Sequence, residues 1–366
     1  MSAPSASRTP SLSVVIVVYN MEREARRSLH ALSAAYQRDI SADDYEVVVV
    51  DNGSLEPFNG GSVAEFGSNF RYHYVDDAHA VPANRTPARA INIGVALARS
   101  EYLALMIDGA RIVTPRVLKY GLMLPKMFES PCGLTLGFHI GPDLQSKSIQ
   151  QGYNQRVEDD VLAGIEWPAN GYRLFEIGST HDPSDGWFRL GGESNCTFVR
   201  RRLFDEVGGY DERYTSRGGG LVNMDFQTRL YALPRVDLVM IAGEGTFHQF
   251  HGGAASGTPW SAAEGVFTEY AAEYLAIRGI PYTPVTDRTA TLIGHMPVEA
   301  LGYLRRFIAV ADPKLIDLDK TVAWLQREIA ARDDVVAHRD RAIEWLRAEL
   351  TEREKRIAEL EASTDP

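Results

Sequence analysis

Residues 45–54 read YEVVVVDNGS: Tyr45 to Val50 is almost wholly apolar, and Asp51-Asn52-Gly53-Ser54 follows. A short run without polar alternation is what a strand buried on both faces of a parallel sheet requires. The same design occurs upstream, where Ser13–Val18 (SVVIVV) ends in Tyr19-Asn20, and downstream, where Tyr102–Ile107 (YLALMI) ends in Asp108. Each run stops at a small polar or acidic residue. Ligands of open α/β sheets bind just beyond the carboxyl ends of the strands, so Asn20, Asp51 and Asp108 are expected on one crevice. Two carboxylates and short polar tips there suit a nucleotide with a bound cation better than a bare anion.

Helical periodicity fills the gaps between these runs. Glu22 to Tyr36 carries Ala25, Leu29, Leu32 and Tyr36 on one stripe, and Pro87 to Arg99 carries Ala90, Ile93, Ala96 and Leu97. Phe70 to Val75 is a further strand candidate. Thr114-Pro115 reads as the N-cap and first position of another helix. This alternation predicts a parallel α/β sheet with helices on both faces. Residues 139–190 change character, being rich in Gly, Asp, Gln, Ser and aromatics, and read as an insertion over the crevice. Regular structure resumes with a strand near Asn195–Arg200, a helix from Arg201, a Gly208-Gly209 turn and a Gly218–Gly220 loop entering a helix at Met224–Leu233. The strand Val236–Ala242 then leads to His248 and His251.

The chain has 366 residues and a formal net charge of −11, which argues against a nucleic-acid partner. Its 2 cysteines, Cys132 and Cys196, make neither a zinc site nor a disulfide framework and fit a reducing compartment. No apolar run approaches the roughly 20 residues of a membrane span. The first ten residues, MSAPSASRTP, lack a signal core and read as a disordered tail. The expected location is the cytoplasm, with a possible basic and apolar membrane contact at Tyr303–Val310 (YLRRFIAV).

From Leu315 to Leu360 a heptad repeat runs without a break. Its a positions are Leu315, Val322, Ile329, Val336, Ile343, Leu350 and Ile357; its d positions are Leu318, Leu325, Arg332, Arg339, Leu346, Arg353 and Leu360. Unbroken apolar a positions predict a coiled coil about 70 Å long that joins copies of the chain. The expected organisation is a tail at 1–10, a nucleotide-binding domain at 11–290, a helical connector at 291–314 and the coiled coil at 315–362.

SVVIVVYN (13–20), VVVVDNGS (47–54), Asn92-Ile93-Gly94 ahead of Tyr102–Asp108, and LFDEVGGY (203–210) together resemble the family 2 glycosyltransferases of GT-A fold over roughly residues 11–255. The resemblance implies an enzyme of hexosyltransferase type that moves a sugar from a nucleotide-diphosphate donor, UDP in most relatives, to a hydroxyl of a glycan or glycolipid, with inversion. It implies a place in polysaccharide biosynthesis. It places Tyr19, Asn20, Asp51, Asn92, Asp108 and Arg111 around the nucleotide. Asp108 stands where relatives carry an Asp-x-Asp metal motif, whose cation offsets charge on the departing diphosphate.

Two departures from the pattern matter. The motif here is Asp108-Gly109-Ala110-Arg111, so the second Asp is missing. Either Arg111 neutralises the phosphates, or His248 and His251 complete a site with Asp108 for Mn²⁺ or Mg²⁺. Relatives also place a carboxylate base in a Glu-Asp pair that here becomes Asn223 and Asp225, and Asn cannot accept a proton. Asp225 is then the local candidate, and Glu193 in Gly191-Gly192-Glu193-Ser194-Asn195 is the second. Trp167, Tyr172, Asp182, Asp185 and Trp187 are candidates to stack on and hydrogen-bond an acceptor sugar, although packing within the loop is the expected reading for any one of them. A scaffold that has lost catalysis is the alternative, and a nucleotidyltransferase is disfavoured because no basic Gly-rich loop follows the first strand.

Overall fold

The computed structural model describes residues 9–58, 60–77, 86–180, 186–253, 256–285, 287–304, 329, 336, 339–341 and 343–356. The chain divides into two compact units, Met1–Tyr303 and Leu304–Pro366.

The first unit is built on one sheet. Its strands are β1 (Leu12–Val18), β2 (Tyr45–Asp51), β3 (Phe70–Tyr74), β4 (Tyr102–Met106), β5 (Arg111–Val113), β6 (Pro131–Ile140), β7 (Gly178–Thr180), β8 (Thr197–Arg200), β9 (Asp237–His248) and β10 (Thr291–Gly294). The order across the sheet is β10-β9-β6-β8-β4-β1-β2-β3, with β5 paired to β9 and β7 to β6. β1, β2 and β4 are buried along their whole length, as the apolar runs require. Helix Pro87–Leu97 packs on β1 and β2, and the approach is close enough that a Cβ on Gly94 would lie 2.2 Å from Val15 Cγ1. Cys132 and Cys196 are both buried and unbridged.

Several expectations need correction. The sheet is mixed, since β8 runs antiparallel to both β4 and β6, and β5 and β7 pair antiparallel as well. Helix Glu22–Leu32 stops four residues short of Tyr36, because Ser33 turns extended; Tyr36 still packs inside and donates to Val113 O at 3.0 Å. Thr114 does not cap a helix. Its hydroxyl bonds Glu244 Oε2 at 2.5 Å, and helix Val117–Met127 begins beyond Arg116. The hydroxyl donates to that buried carboxyl group and its oxygen accepts from Gly245 N–H at 2.9 Å, so it is engaged away from the helix.

β9 is longer than its sequence suggests, running 12 residues to His248 through a bulge opposite Thr135. Beyond residue 290 the chain is not only a connector, because β10 adds a parallel strand beside β9. In the second unit, residues 329, 336, 339–341 and 343–356 are helical. The remainder of the expected rod at 315–362, residues 305–310 of the basic segment, and residues 1–8 lie outside the described residues. Among the described residues no helix is long and apolar enough to cross a membrane.

Candidate active site

The register brings the strand ends into one row. Val18 pairs with Asp51, and Ile16 with Met106, so two further residues on β4 set Asp108 level with Val18. Gly109 seals that contact: a Cβ there would sit 2.4 Å from Val17 O. β8 is antiparallel to β4, with Leu105 facing Thr197, so residues 193–195 just before β8 approach the same edge. β9 is parallel to β6 and ends at that edge too, where His248 pairs with Arg111 of β5.

Asp108, His248 and His251 each offer a ligand atom, all within 4.8 Å of one another. Asp108 Oδ2 lies 3.2 Å from His248 Nε2 and accepts from Arg111 Nε at 2.9 Å, while its Oδ1 accepts from Ala110 N–H at 3.0 Å. His248 Nε2 and His251 Nε2 are 3.2 Å apart. The loop beyond β9 is pinned on two sides: Gln249 N–H donates to Ala110 O at 2.9 Å, and Phe250 N–H donates to the buried Glu158 at 2.8 Å. Burial, reinforced by Arg111, pushes the His248 pKa down to about 3, so the imidazole is neutral at ordinary pH. Burial by itself would raise the Asp108 pKa, but the groups around it, His248 and Arg111, hold it well below the usual carboxylate range. With His248 neutral, the charge that keeps Asp108 ionised is the guanidinium of Arg111.

Two observations bear on a cation. A carboxylate oxygen and two imidazole nitrogens converge, which is a donor set for a divalent transition-type ion rather than for Mg²⁺, which prefers all-oxygen shells. Arg111 is 4% exposed, and its Nη1 meets no acceptor among the described residues. A buried guanidinium N–H without a partner is costly, and a phosphate oxygen is a fitting acceptor.

Next to this cluster, a cleft of about 310 Å³ is lined by Val18, Asn20, Met21, Ser54, Leu55 and Phe58, among others. Asn20 sits in the left-handed region with φ 48°; its N–H donates to Ser54 Oγ at 2.9 Å and its Oδ1 accepts from Leu55 N–H at 2.8 Å. Asp51 is 0% exposed, accepting from Ser54 N–H (2.8 Å), Phe58 N–H (3.2 Å) and Tyr72 OH (2.9 Å). Both residues therefore shape the loop that walls the cleft. Tyr19, between the lining residues Val18 and Asn20, is 39% exposed. Asn92 is also committed: its amide holds Tyr210 through N–H and carbonyl at 3.0 and 2.9 Å and donates to Glu212 at 2.9 Å, tying helix Pro87–Leu97 to the Gly208-Gly209 turn.

The two base candidates differ sharply. Asp225 is 0% exposed and clamped by Arg229 Nε (2.9 Å) and by Arg278 through Nε (2.5 Å) and Nη2 (2.7 Å). It has no surface facing an acceptor. Glu193 is half-buried, with Oε1 accepting from Asn223 Nδ2 at 2.9 Å, and Asn223 in turn accepts from Tyr210 OH at 3.1 Å. Position 223 is thus an amide that holds Glu193.

The insertion aromatics are core residues, in line with the packing reading and not with acceptor stacking. Trp167, Tyr172 and Trp187 are buried; Tyr172 OH and Trp187 Nε1 bond Glu244 at Oε1 (2.7 Å) and its backbone O (3.0 Å). Asp182 and Asp185 lie outside the described residues. Glu244 and Glu158, buried carboxylates with pKa pushed up to about 7 by burial, were not singled out from the sequence. The flanking Gly243 and Gly245 were the available hint of the bulge that holds Glu244.

Solved structures to which the chain is similar are remote. They include S. aureus TarS 1–349 in complex with UDP-GlcNAc (14% identity, TM-score 0.45, covering 76% of this chain and 68% of that one). Glucosyl-3-phosphoglycerate synthase from Mycobacterium tuberculosis, solved with Mn²⁺, UDP and its product, gives 16% identity, TM-score 0.42 and coverage of 75% and 82%. Mannosyltransferase PcManGT from Pyrobaculum calidifontis, with GDP-Man and Mn²⁺, gives 16%, 0.34, 64% and 56%. Against the longer TarS structure the chain spans 43% of the relative's length. No protein of curated function matches the sequence. The segment that carries β1 to β5, with Asp51, Asp108 and Arg111, does match a family: residues 13–119 fit glycosyl transferase family 2.

Proposed function

We propose that the chain is a glycosyltransferase that moves a sugar from a nucleoside diphosphate, UDP in the first instance, to a hydroxyl of a glycan or glycolipid acceptor. The observation that carries this reading is the convergence of Asp108, Arg111, His248 and His251 at the carboxyl edge of a sheet whose first half fits glycosyl transferase family 2. The cleft at Asn20 and Ser54 is of a size for the nucleoside. Arg111 Nη1 then donates to the diphosphate. A divalent cation, Mn²⁺ in preference to Mg²⁺, would be held by Asp108, His248 and His251, and supplies positive charge against the diphosphate as it leaves.

Glu193 is the proposed base. It removes the acceptor hydroxyl proton as that oxygen attacks the anomeric carbon. The bond from the anomeric carbon to the phosphate oxygen breaks, and the electron pair leaves with the nucleoside diphosphate. One displacement of this kind inverts the configuration. Supporting Glu193 over Asp225 are its partial exposure and its place beside β8, against the double arginine clamp on Asp225.

Self-association is a separate proposal. Ile329, Val336, Ile343 and Leu350, spaced by seven, are each exposed in the second unit, and a seam of that spacing buries itself against another such helix. Sedimentation of the full chain against a chain ending at 303 tests it. The transfer reading is tested by calorimetric titration with UDP, GDP and dTDP, each with Mn²⁺ and with EDTA. Binding of one nucleotide that weakens in EDTA is expected, and no binding under either condition overturns the reading.

A further inference from the structure

Gln145 belongs to the insertion, on the short helix Gln145–Ser148, and is 1% exposed. Its side chain touches His248 twice. Gln145 Nε2 lies 3.0 Å from the His248 backbone oxygen, and Gln145 Oε1 lies 2.7 Å from His248 Nδ1. The first contact fixes the amide's orientation, because a carbonyl oxygen accepts only from a donor and the flipped amide would set oxygen against oxygen. With Oε1 then facing Nδ1, the ring must carry its hydrogen on Nδ1 to make the second bond. The neutral ring is left with a lone pair on Nε2. That nitrogen is the one aimed at Asp108 Oδ2 and His251 Nε2, each 3.2 Å away.

We propose that Gln145 is a positioning residue of the metal centre: it locks His248 in the Nδ1–H tautomer, so that the Nε2 lone pair faces Asp108 and His251 and is ready for a divalent cation. The inference deepens the transferase reading and rests on its cation site. It gives the insertion a second task. The insertion also sets the chemistry of a residue on β9, so changes to it reach the donor side of the site. Partners of this kind around a metal-binding histidine change metal affinity by about 10- to 100-fold when removed.

The test uses the full chain labelled with ¹⁵N-histidine, first in EDTA, with the His248 signals assigned by loss in His248→Ala. The expected spectrum shows His248 protonated on Nδ1 and bare on Nε2. Gln145→Leu, whose folding is checked by its thermal transition, is expected to relax the tautomer to a mixture and to weaken Mn²⁺ binding, read by electron paramagnetic resonance, about 10- to 100-fold. Gln145→Glu, which still presents an acceptor to Nδ1 but sets its second oxygen against the His248 carbonyl, is expected to keep the tautomer while lowering the thermal transition. A parent protein with the hydrogen on Nε2, or a Gln145→Leu variant with unchanged tautomer and Mn²⁺ affinity, overturns the proposal. Mn²⁺ binding that depends on Gln145 in a protein that binds no nucleotide would leave this inference standing and remove the transferase reading instead.

Discussion

Arg111 donates through Nε to Asp108 Oδ2 at 2.9 Å, across a turn with alanine at 110, where the pattern the chain resembles carries a second acid. A missing carboxylate leaves the metal shell one anionic oxygen poorer, and a guanidinium beside the remaining one brings charge the metal would otherwise supply alone. The two positions therefore trade. Replacing Arg111 by Met is expected to lower kcat by about 10²- to 10³-fold, the range for losing one donor to a developing anion. Arg111→Lys keeps the charge but not the fork and should recover only part. Steady-state kinetics with saturating Mn²⁺ decides, and an Arg111→Met enzyme with parental kcat would remove Arg111 from the reaction.

Glu193→Gln and Asp225→Asn separate the two carboxylates by what they break. Glu193→Gln is expected to fold normally and to lower kcat by about 10²- to 10⁴-fold, the usual worth of a positioned base. Asp225→Asn leaves Arg229 and Arg278 facing a neutral amide in a buried place, so it should cost about 3–5 kcal/mol of stability while the folded fraction keeps its turnover. Urea titration and active-site counting read the two effects independently. The opposite assignment, activity lost at 225 and kept at 193, would move the base.

The ends of the apolar strands were legible in the sequence. Asp51 and Asp108 follow runs buried on both faces, and such runs have no other use in a chain of this composition. His248 came from the resemblance and not from a strand end, since the strand legible in the sequence stops at Ala242 while β9 runs on to His248. Asp225 was misleading because a carboxylate at a helix start looks alike whether it faces a substrate or an arginine. The Arg229 spacing, i to i+4, was the signal for an internal ion pair, but Arg278 comes from 53 residues away, and no local pattern reveals it. β8 was legible as a strand but not as antiparallel, because direction is set by where the chain re-enters the sheet. Gln145 carried no signal at all: its role exists only where the insertion folds back on β9.

Glu244 gives the protein a pH dependence of known sign. Burial raises its pKa from 4.5 to about 7 despite bonds from Thr114, Tyr172 and the Arg116 N–H. The folded chain holds that proton up to about pH 7 and the unfolded chain only to about 4.5, so the contribution is full below pH 4.5 and is lost as pH rises through 7. Its size is on the order of 3 kcal/mol. Glu158 adds a second term of the same sign. Glu244→Gln should therefore lose less stability than the parent between pH 5 and pH 8. The difference between the two proteins isolates Glu244 from the other titrating groups, and equal slopes in denaturant melts at the two pH values would show that Glu244 is not protonated in the fold.

Gly109 makes the last prediction, because it links the core to the site through one contact. A Cβ at 109 would meet Val17 O at 2.4 Å, Val18 Cγ1 at 2.7 Å and Met21 Sδ at 3.3 Å. The first of these is backbone of β1, a central strand, and does not swing aside as a side-chain tip would. Gly109→Ala must instead push the 108–111 turn outward, which carries Asp108 and Arg111 away from His248. Overpacking of this order costs about 1–3 kcal/mol, and a shift of about 1 Å at a reacting group costs on the order of 10²-fold in rate. Mn²⁺ affinity should fall together with stability in this variant, whereas Asp225→Asn should lower stability alone. Measuring both quantities in both variants tests whether the turn is coupled to the metal ligands through Gly109, and parental Mn²⁺ affinity in Gly109→Ala would break that link.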